Sequence, residues 1–251
     1  MYKLGLCSVT FRKLTVDQII RLASEANLEG IEWGSDVHVP VDALEHAKQV
    51  AKLTKIANLE IVSYGSYYRV GEENESNFEE ILQTAVNLEA PAIRVWAGAR
   101  GSADATRDYR EQVISDARKI GSMAEKQGVS IHFEYHGDTL TDTMESAKLL
   151  MQSVDHSNVY IYWQPSINTS AKERLASIRA IQPWLSNIHV FHWSGTERLP
   201  LEEGKVEWAS YLSEISKSSI NRYLLMEFVK EDSAGQFLKD AKVLKNVMET
   251  T

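Results

Sequence analysis

Ile131-His-Phe-Glu-Tyr-His-Gly137 reads as the end of a short buried strand, Val129 to Phe133, that runs into a carboxylate, an aromatic ring, an imidazole and a glycine. Such an ending places Glu134 and His136 at the rim of a core, where catalytic and ligand-binding groups concentrate. The pattern recurs. Three later apolar runs end at Gln164, at His189 and at Glu227. Each run is followed by a stretch with helical spacing of its apolar residues. The four ends are expected to converge on one divalent metal.

Outward from this stretch, short apolar runs and amphipathic stretches alternate along the whole chain. Strands are predicted at Leu4–Ser8, Gly30–Trp33, Glu60–Tyr64, Ala92–Trp96, Val129–Glu134, Val159–Trp163, Asn187–His192 and Tyr223–Phe228. Thr15 is a predicted N-cap, with Val16, Ile19, Ile20, Leu22 and Ala23 on one helical face. Further helices are predicted over Val41–Ala57, Asn77–Leu88, Asp108–Gln127, Thr143–Val154, Lys172–Ile181, Trp208–Lys217 and Ala234–Met248. Gly128 suits a helix C-terminus. Gly65 to Ser76 reads as a polar loop, Ala97 to Ser102 as a glycine-rich loop, and Pro200 to Lys205 as a polar insertion. Eight strands, each followed by a helix, predict a single α/β domain closed as a parallel (β/α)8 barrel. An open doubly wound sheet usually carries a glycine fingerprint in its first turn. Here that turn is Ser8-Val-Thr-Phe-Arg-Lys13, without glycine.

The 251 residues fit one such domain, with 43% apolar and 25% charged residues. The net charge of −8 and the lack of a clustered basic run argue against a nucleic-acid partner. No stretch approaches the ~20 apolar residues of a membrane span, and Met1 to Leu6 lacks a signal-peptide core. A soluble, cytoplasmic protein is expected. One cysteine, Cys7, excludes a disulfide within the chain and fits a reducing compartment. Its apolar setting favours a small buried hydrophobe over a nucleophile.

In a closed barrel the site lies at the carboxyl ends of the strands. Glu134, Gln164, His189 and Glu227 make an oxygen-rich donor set that suits Mn²⁺ or Mg²⁺, with Zn²⁺ or Co²⁺ as further options. Trp33, Trp96, Trp163 and Trp193 fall at strand ends, either as flat faces for a sugar or as packing beneath the helices. Arg94 lies in an apolar strand and needs a partner, either an anionic substrate or a barrel glutamate. Arg198 is a second cation on this face. Two carboxylates flanking a metal can move a proton next to a carbonyl through an enediolate. Glu134 and Glu227 are then both ligands and acid/base groups, with His136 polarising the carbonyl or shuttling the proton. That is isomerase or epimerase chemistry on a small sugar or polyol. Expulsion of a β-hydroxyl by the same parts gives a dehydratase.

Glu134-Tyr-His136, Gln164, His189 and Glu227 resemble the Glu, Asp, His, Glu metal set of the xylose-isomerase-like TIM-barrel family, which holds sugar isomerases, ketose 3-epimerases, inosose dehydratase and endonuclease IV. Leu6-Cys-Ser-Val-Thr-Phe-Arg12, Gly30-Ile-Glu-Trp33, Gly101-Ser-Ala-Asp104 and Thr139-Leu-Thr-Asp-Thr143 are similar to the bacterial dehydroshikimate dehydratases. That likeness implies a TIM barrel, often a homo-oligomer, with His136, Arg94 and Tyr67 near the substrate. It also exposes departures: Gln164 stands where the family has aspartate, Phe191 where the dehydratases have lysine, and Ile167 where they have histidine. Gln164 leaves the site one negative charge poorer, which motivates a third option, a non-catalytic carbohydrate-binding barrel. A nuclease is disfavoured by the few histidines and the acidic balance.

Overall fold

The computed structural model describes residues 2–167, 169–218 and 221–251. Seven strands alternate with helices in its first part: β1 (Tyr2–Cys7), α1 (Val16–Glu25), β2 (Gly30–Gly34), α2 (Leu44–Ile56), β3 (Glu60–Arg69), α3 (Phe78–Asn87), β4 (Ala92–Trp96), α4 (Arg107–Glu125), β5 (Ser130–Phe133), α5 (Met144–Val154), β6 (Val159–Trp163), α6 (Ala171–Ile181) and β7 (Leu185–Val190). A small antiparallel hairpin, β8 (Trp193–Ser194) with β9 (Glu197–Arg198), precedes α7 (Lys205–Ile215), β10 (Arg222–Met226) and α8 (Ala234–Glu249). The eight longer strands close a parallel barrel in the order β1-β10-β7-β6-β5-β4-β3-β2. The expected single (β/α)8 barrel is therefore the fold. No helix among the described residues is long and apolar enough to cross a membrane.

Local signals set the helix starts. Thr15 caps α1 and Asn77 caps α3, each in a reciprocal capping box with the residue three positions on. Thr143 caps α5 by accepting from the Ser146 amide. Gly128, at φ +70°, turns the chain out of the last turn after α4.

Strand β3 departs from expectation. Gly65 to Ser76 does not begin as a loop, because β3 continues to Arg69. Its register against β4 jumps from Gly65↔Arg94 to Arg69↔Trp96. Four residues on one strand thus face two on the other, and the extra length bulges outward at Tyr67, whose φ is +34°. The bulge carries Tyr67 over the barrel mouth. Strand β7 also sits two residues earlier than expected, and His192 follows it as loop.

Two layers are packed. The main core lies between barrel and helices, around residues such as Trp33, Phe133 and Trp163. A second apolar cluster, Val62, Tyr162 and Leu225 with Tyr223 against it, fills the barrel interior. Gly5 and Gly30 make room for it: a Cβ on Gly5 would stand 2.7 Å from Leu225, and one on Gly30 2.6 Å from Val62. Above this plug a hydrogen-bonded layer runs from Asn187 Nδ2 to Tyr162 Oη (3.0 Å), on to Ser63 Oγ (3.0 Å) and up to Glu32 Oε2 (2.6 Å).

Candidate metal centre

Side chains alternate along a strand, so the residue after an outward-facing one points into the barrel. Phe133 is wholly buried in the main core, and Glu134 follows it inward. The Glu134 amide still donates to Val95 O at 2.9 Å, and the Glu227 amide to Val190 O at 3.0 Å. Both glutamates thus sit just past a strand end with their backbone pinned. Thr141 Oγ1 donates to Glu134 O at 2.6 Å and holds the following loop down.

The four expected ligands meet at one atom, His189 Nδ1. Gln164 Oε1 lies 3.0 Å from it, Glu227 Oε2 3.3 Å and Glu134 Oε1 3.7 Å. Donor atoms that share a cation at about 2.0–2.2 Å stand roughly 3 Å or a little more from one another, and the distances from Nδ1 to Gln164 and Glu227 are of that size. Charge fits as well. Glu32, Glu134 and Glu227 are buried carboxylates, at 0%, 4% and 4% exposure, and the guanidinium beside them is Arg94. With His189 as the neutral imidazole that a metal ligand must be, that combination leaves a net −2 in a low-dielectric place, which a divalent cation cancels.

Arg94 spans the two neighbouring carboxylates. Its Nε donates to Glu32 Oε1 at 2.7 Å, and its other arm donates to Glu134 Oε2. The Trp96 indole N–H donates to the same Glu134 oxygen at 2.5 Å. Burial alone would raise the Glu32 carboxyl, but the Arg94 charge and the His189 hydrogen bond outweigh it and hold it well below the usual range. Glu134 is lowered in the same way, burial being opposed by Arg94 and then His189. Burial would also lower His189, yet Glu227, Glu134 and Glu32 lift it well above the ordinary imidazole value. Any cation at Nδ1, proton or metal, gains from that field.

The other expected site residues divide. Trp33 and Trp163 are wholly buried and do not reach the mouth. Trp33 Nε1 donates to Thr54 Oγ1 on α2, and Trp163 Nε1 to Ser177 Oγ on α6, so both are packing under the helices. Arg94 is 2% exposed and committed to carboxylates, which removes it as an anchor for an anionic substrate. Trp96 does belong to the mouth: it stacks on His136 at 5.0 Å and meets the Tyr67 ring edge-on at 5.5 Å. Tyr67 in turn accepts from Arg12 at 2.9 Å. Arg198 lies at the rim, paired with Asp232 and 4.8 Å above the Phe228 ring. A cleft of about 370 Å³ opens over the centre, with Glu134, His136, Gln164, Trp193, Glu227 and Phe228 in its wall. Phe191 and Ile167 line it too, where the resemblance expects lysine and histidine.

Two residues of the mouth were left without a role by the sequence. Glu32 binds Arg94, Ser63 and Cys7 and faces His189 Nε2 at 3.6 Å. Cys7 is buried as expected, but among carboxylates rather than hydrophobes. Burial, followed by the charges of Glu32 and Glu227, raises its thiol well above the usual value. Strand parity was the available signal, since Cys7 and Glu32 each pair with an inward position.

A family model described as xylose isomerase-like TIM barrel matches residues 20–247. In sequence, a 3-dehydroshikimate dehydratase of Bacillus anthracis is 24% identical over 280 residues, covering 97% of this chain and 97% of that protein. Among solved structures, a D-tagatose 3-epimerase-like protein superposes with a TM-score of 0.77 at 18% identity, over 99% of this chain and 97% of its own. A xylose isomerase-like barrel of Mycobacterium smegmatis, solved with magnesium, does so with a TM-score of 0.72 at 15% identity, over 100% and 97%. With the closed barrel and the family match over most of its length, the chain belongs to the xylose isomerase-like TIM barrel family.

Proposed function

We propose that the protein is a divalent-metal-dependent isomerase or epimerase of a small sugar or polyol. The observation that carries this reading is the meeting of Glu134, Gln164 and Glu227 oxygens at His189 Nδ1 beside an uncancelled buried charge. Those four side chains would hold Mn²⁺ or Mg²⁺. When bound, such an ion polarises a carbonyl oxygen and stabilises the negative charge that builds as the neighbouring carbon loses a proton. The magnesium-bound and epimerase-like structural relatives support the reading.

The two glutamates are not equivalent proton carriers. Glu134 has one oxygen occupied by Arg94 and Trp96, which favours its ionised form. Glu227 lines the cleft without such a clamp and is the better placed base. His136 is the second carrier: its Nδ1 donates to Gly137 O at 2.6 Å, which leaves Nε2 as the acceptor. Trp96 holds that ring by stacking. Trp193 and Phe228 supply apolar faces for a sugar ring.

The inequality of the glutamates, together with the dehydratase relative, favours a second reading. There Glu227 takes the proton, and His136, in its imidazolium form with a second proton on Nε2, gives that proton to a departing β-hydroxyl. One experiment separates the two. The Mn²⁺-loaded protein is incubated in D₂O with a panel of ketoses, aldoses and inososes, and separately with dehydroshikimate. Deuterium uptake next to the carbonyl, absent from Glu227→Gln, supports the isomerase. A new conjugated absorbance from dehydroshikimate supports the dehydratase. Neither signal, together with no bound or activating metal, leaves a carbohydrate-binding barrel.

A further inference from the structure

The chain has a single cysteine, Cys7, at the end of β1. It is wholly buried, yet its neighbours are charged: Sγ lies 3.2 Å from Glu32 Oε1 and 3.9 Å from Glu227 Oε1. Nearby, His189 Nε2 is buried and makes no hydrogen bond. Cys7 Sγ, a ring nitrogen of His189 and a carboxylate oxygen of Glu227 all lie within 4.8 Å of one another. Glu227 therefore offers Oε2 toward His189 Nδ1 and Oε1 toward the sulfur.

We propose that Cys7, His189 and Glu227 form a second, sulfur-containing metal site that takes a thiophilic divalent cation such as Zn²⁺, overlapping the oxygen-rich centre. Sulfur, imidazole and carboxylate together select zinc or cobalt, whereas an all-oxygen set with one imidazole suits magnesium or manganese. Entry breaks the S–H bond and forms an S–metal bond; the proton leaves to solvent, and no electron moves. Because His189 and Glu227 serve both sets, an ion at the sulfur side withdraws them from Glu134 and Gln164. Zinc then excludes the hard ion instead of substituting for it. The exclusion, though not the sulfur site itself, rests on the metal centre proposed above.

The test is Co²⁺ titration of the metal-stripped full chain, read by absorbance. A sulfur-to-cobalt charge-transfer band in the near ultraviolet is expected in the wild type and not in Cys7→Ser, with weaker visible bands in both. With one cysteine in the chain, the wild-type band reports on Cys7 even if the variant does not fold. Zn²⁺ should displace bound Mn²⁺, followed by its paramagnetic resonance, at least about tenfold less effectively from Cys7→Ser, the lower end of what losing even an outer metal partner costs. Visible bands without the ultraviolet band in the wild type would overturn the sulfur site and leave the oxygen-rich centre standing. No Co²⁺ uptake at all would overturn both.

Discussion

Gln164 Oε1 stands 3.0 Å from His189 Nδ1, closer than either glutamate does. An uncharged amide thus occupies the position that the family resemblance assigns to aspartate. Gln164→Asp adds one negative charge beside the ion and should tighten Mn²⁺ binding by about tenfold, or 1.4 kcal/mol. Calorimetric titration measures it. Unchanged or weaker binding would take Gln164 out of the ligand set.

Glu227→Gln should lower turnover by about 10²–10⁴-fold as a lost acid/base group, and Glu134→Gln should lower it as a lost charged metal ligand. Their side effects should differ. Glu134→Gln also strands one arm of Arg94 and should lower the melting temperature. Glu227→Gln should melt close to wild type. Equal melting losses would contradict the unequal environments of the two carboxylates.

Arg94→Met removes the cation between Glu32 and Glu134 and leaves buried carboxylates unpaired, at a cost of about 3–5 kcal/mol. Both carboxyls have folded pKa values depressed below their ordinary 4.5. The stability they contribute is therefore present above 4.5 and is lost as pH falls through the folded values. In Arg94→Met the depression is gone, so the deficit should be largest at neutral pH and shrink below 4.5. Urea melts across pH check this, and a pH-independent deficit would count against it.

His132 lies inside the barrel, with burial as the leading cause that takes its pKa from 6.5 down to about 3. The unfolded chain binds this proton more readily than the folded one. Stability should therefore rise with pH between about 3 and 6.5, by of the order of 1 kcal/mol per unit, and level off above. In His132→Gln that slope should be absent, so the gap between variant and wild type narrows on acidification. Parallel curves would show that His132 does not set the slope.

Trp163→Ala should cost about 3–5 kcal/mol in stability and leave the KM of the remaining folded protein unchanged. Trp96→Phe should do the reverse, since it deletes the N–H that Glu134 accepts. A KM effect from Trp163→Ala would restore it to the substrate site.

Much of this was legible in the sequence. The alternation of runs gave all eight barrel strands, with Ala92–Trp96 and Val159–Trp163 matching to the residue. Thr15, Asn77 and Thr143 marked helix starts because their caps are local chemistry. The convergence of Glu134, Gln164 and Glu227 on His189 was legible from strand ends. For Trp33 and Trp163 the position at a strand end was not enough, because parity along the strand decides the face. Trp33 adjoins inward Glu32, and Trp163 adjoins inward Gln164, so each must face out. Trp96 shares the parity of Arg94 and faces in. The roles of Glu32 and Arg94 needed a partner 62 residues away, which no local pattern reports. The bulge at Tyr67 depends on the register of β3 against β4, again a tertiary fact.

The barrel closes where β10 pairs with β1, Tyr2 opposite Arg222. Glu227, directly after β10, is the last of the converging side chains to be synthesised. Until β10 joins, β1 with Cys7 has one edge unpaired, whereas β2 with Glu32 already has β1 and β3 beside it. The complete centre therefore requires β10 in place, both because Glu227 follows it and because its pairing with β1 closes the ring.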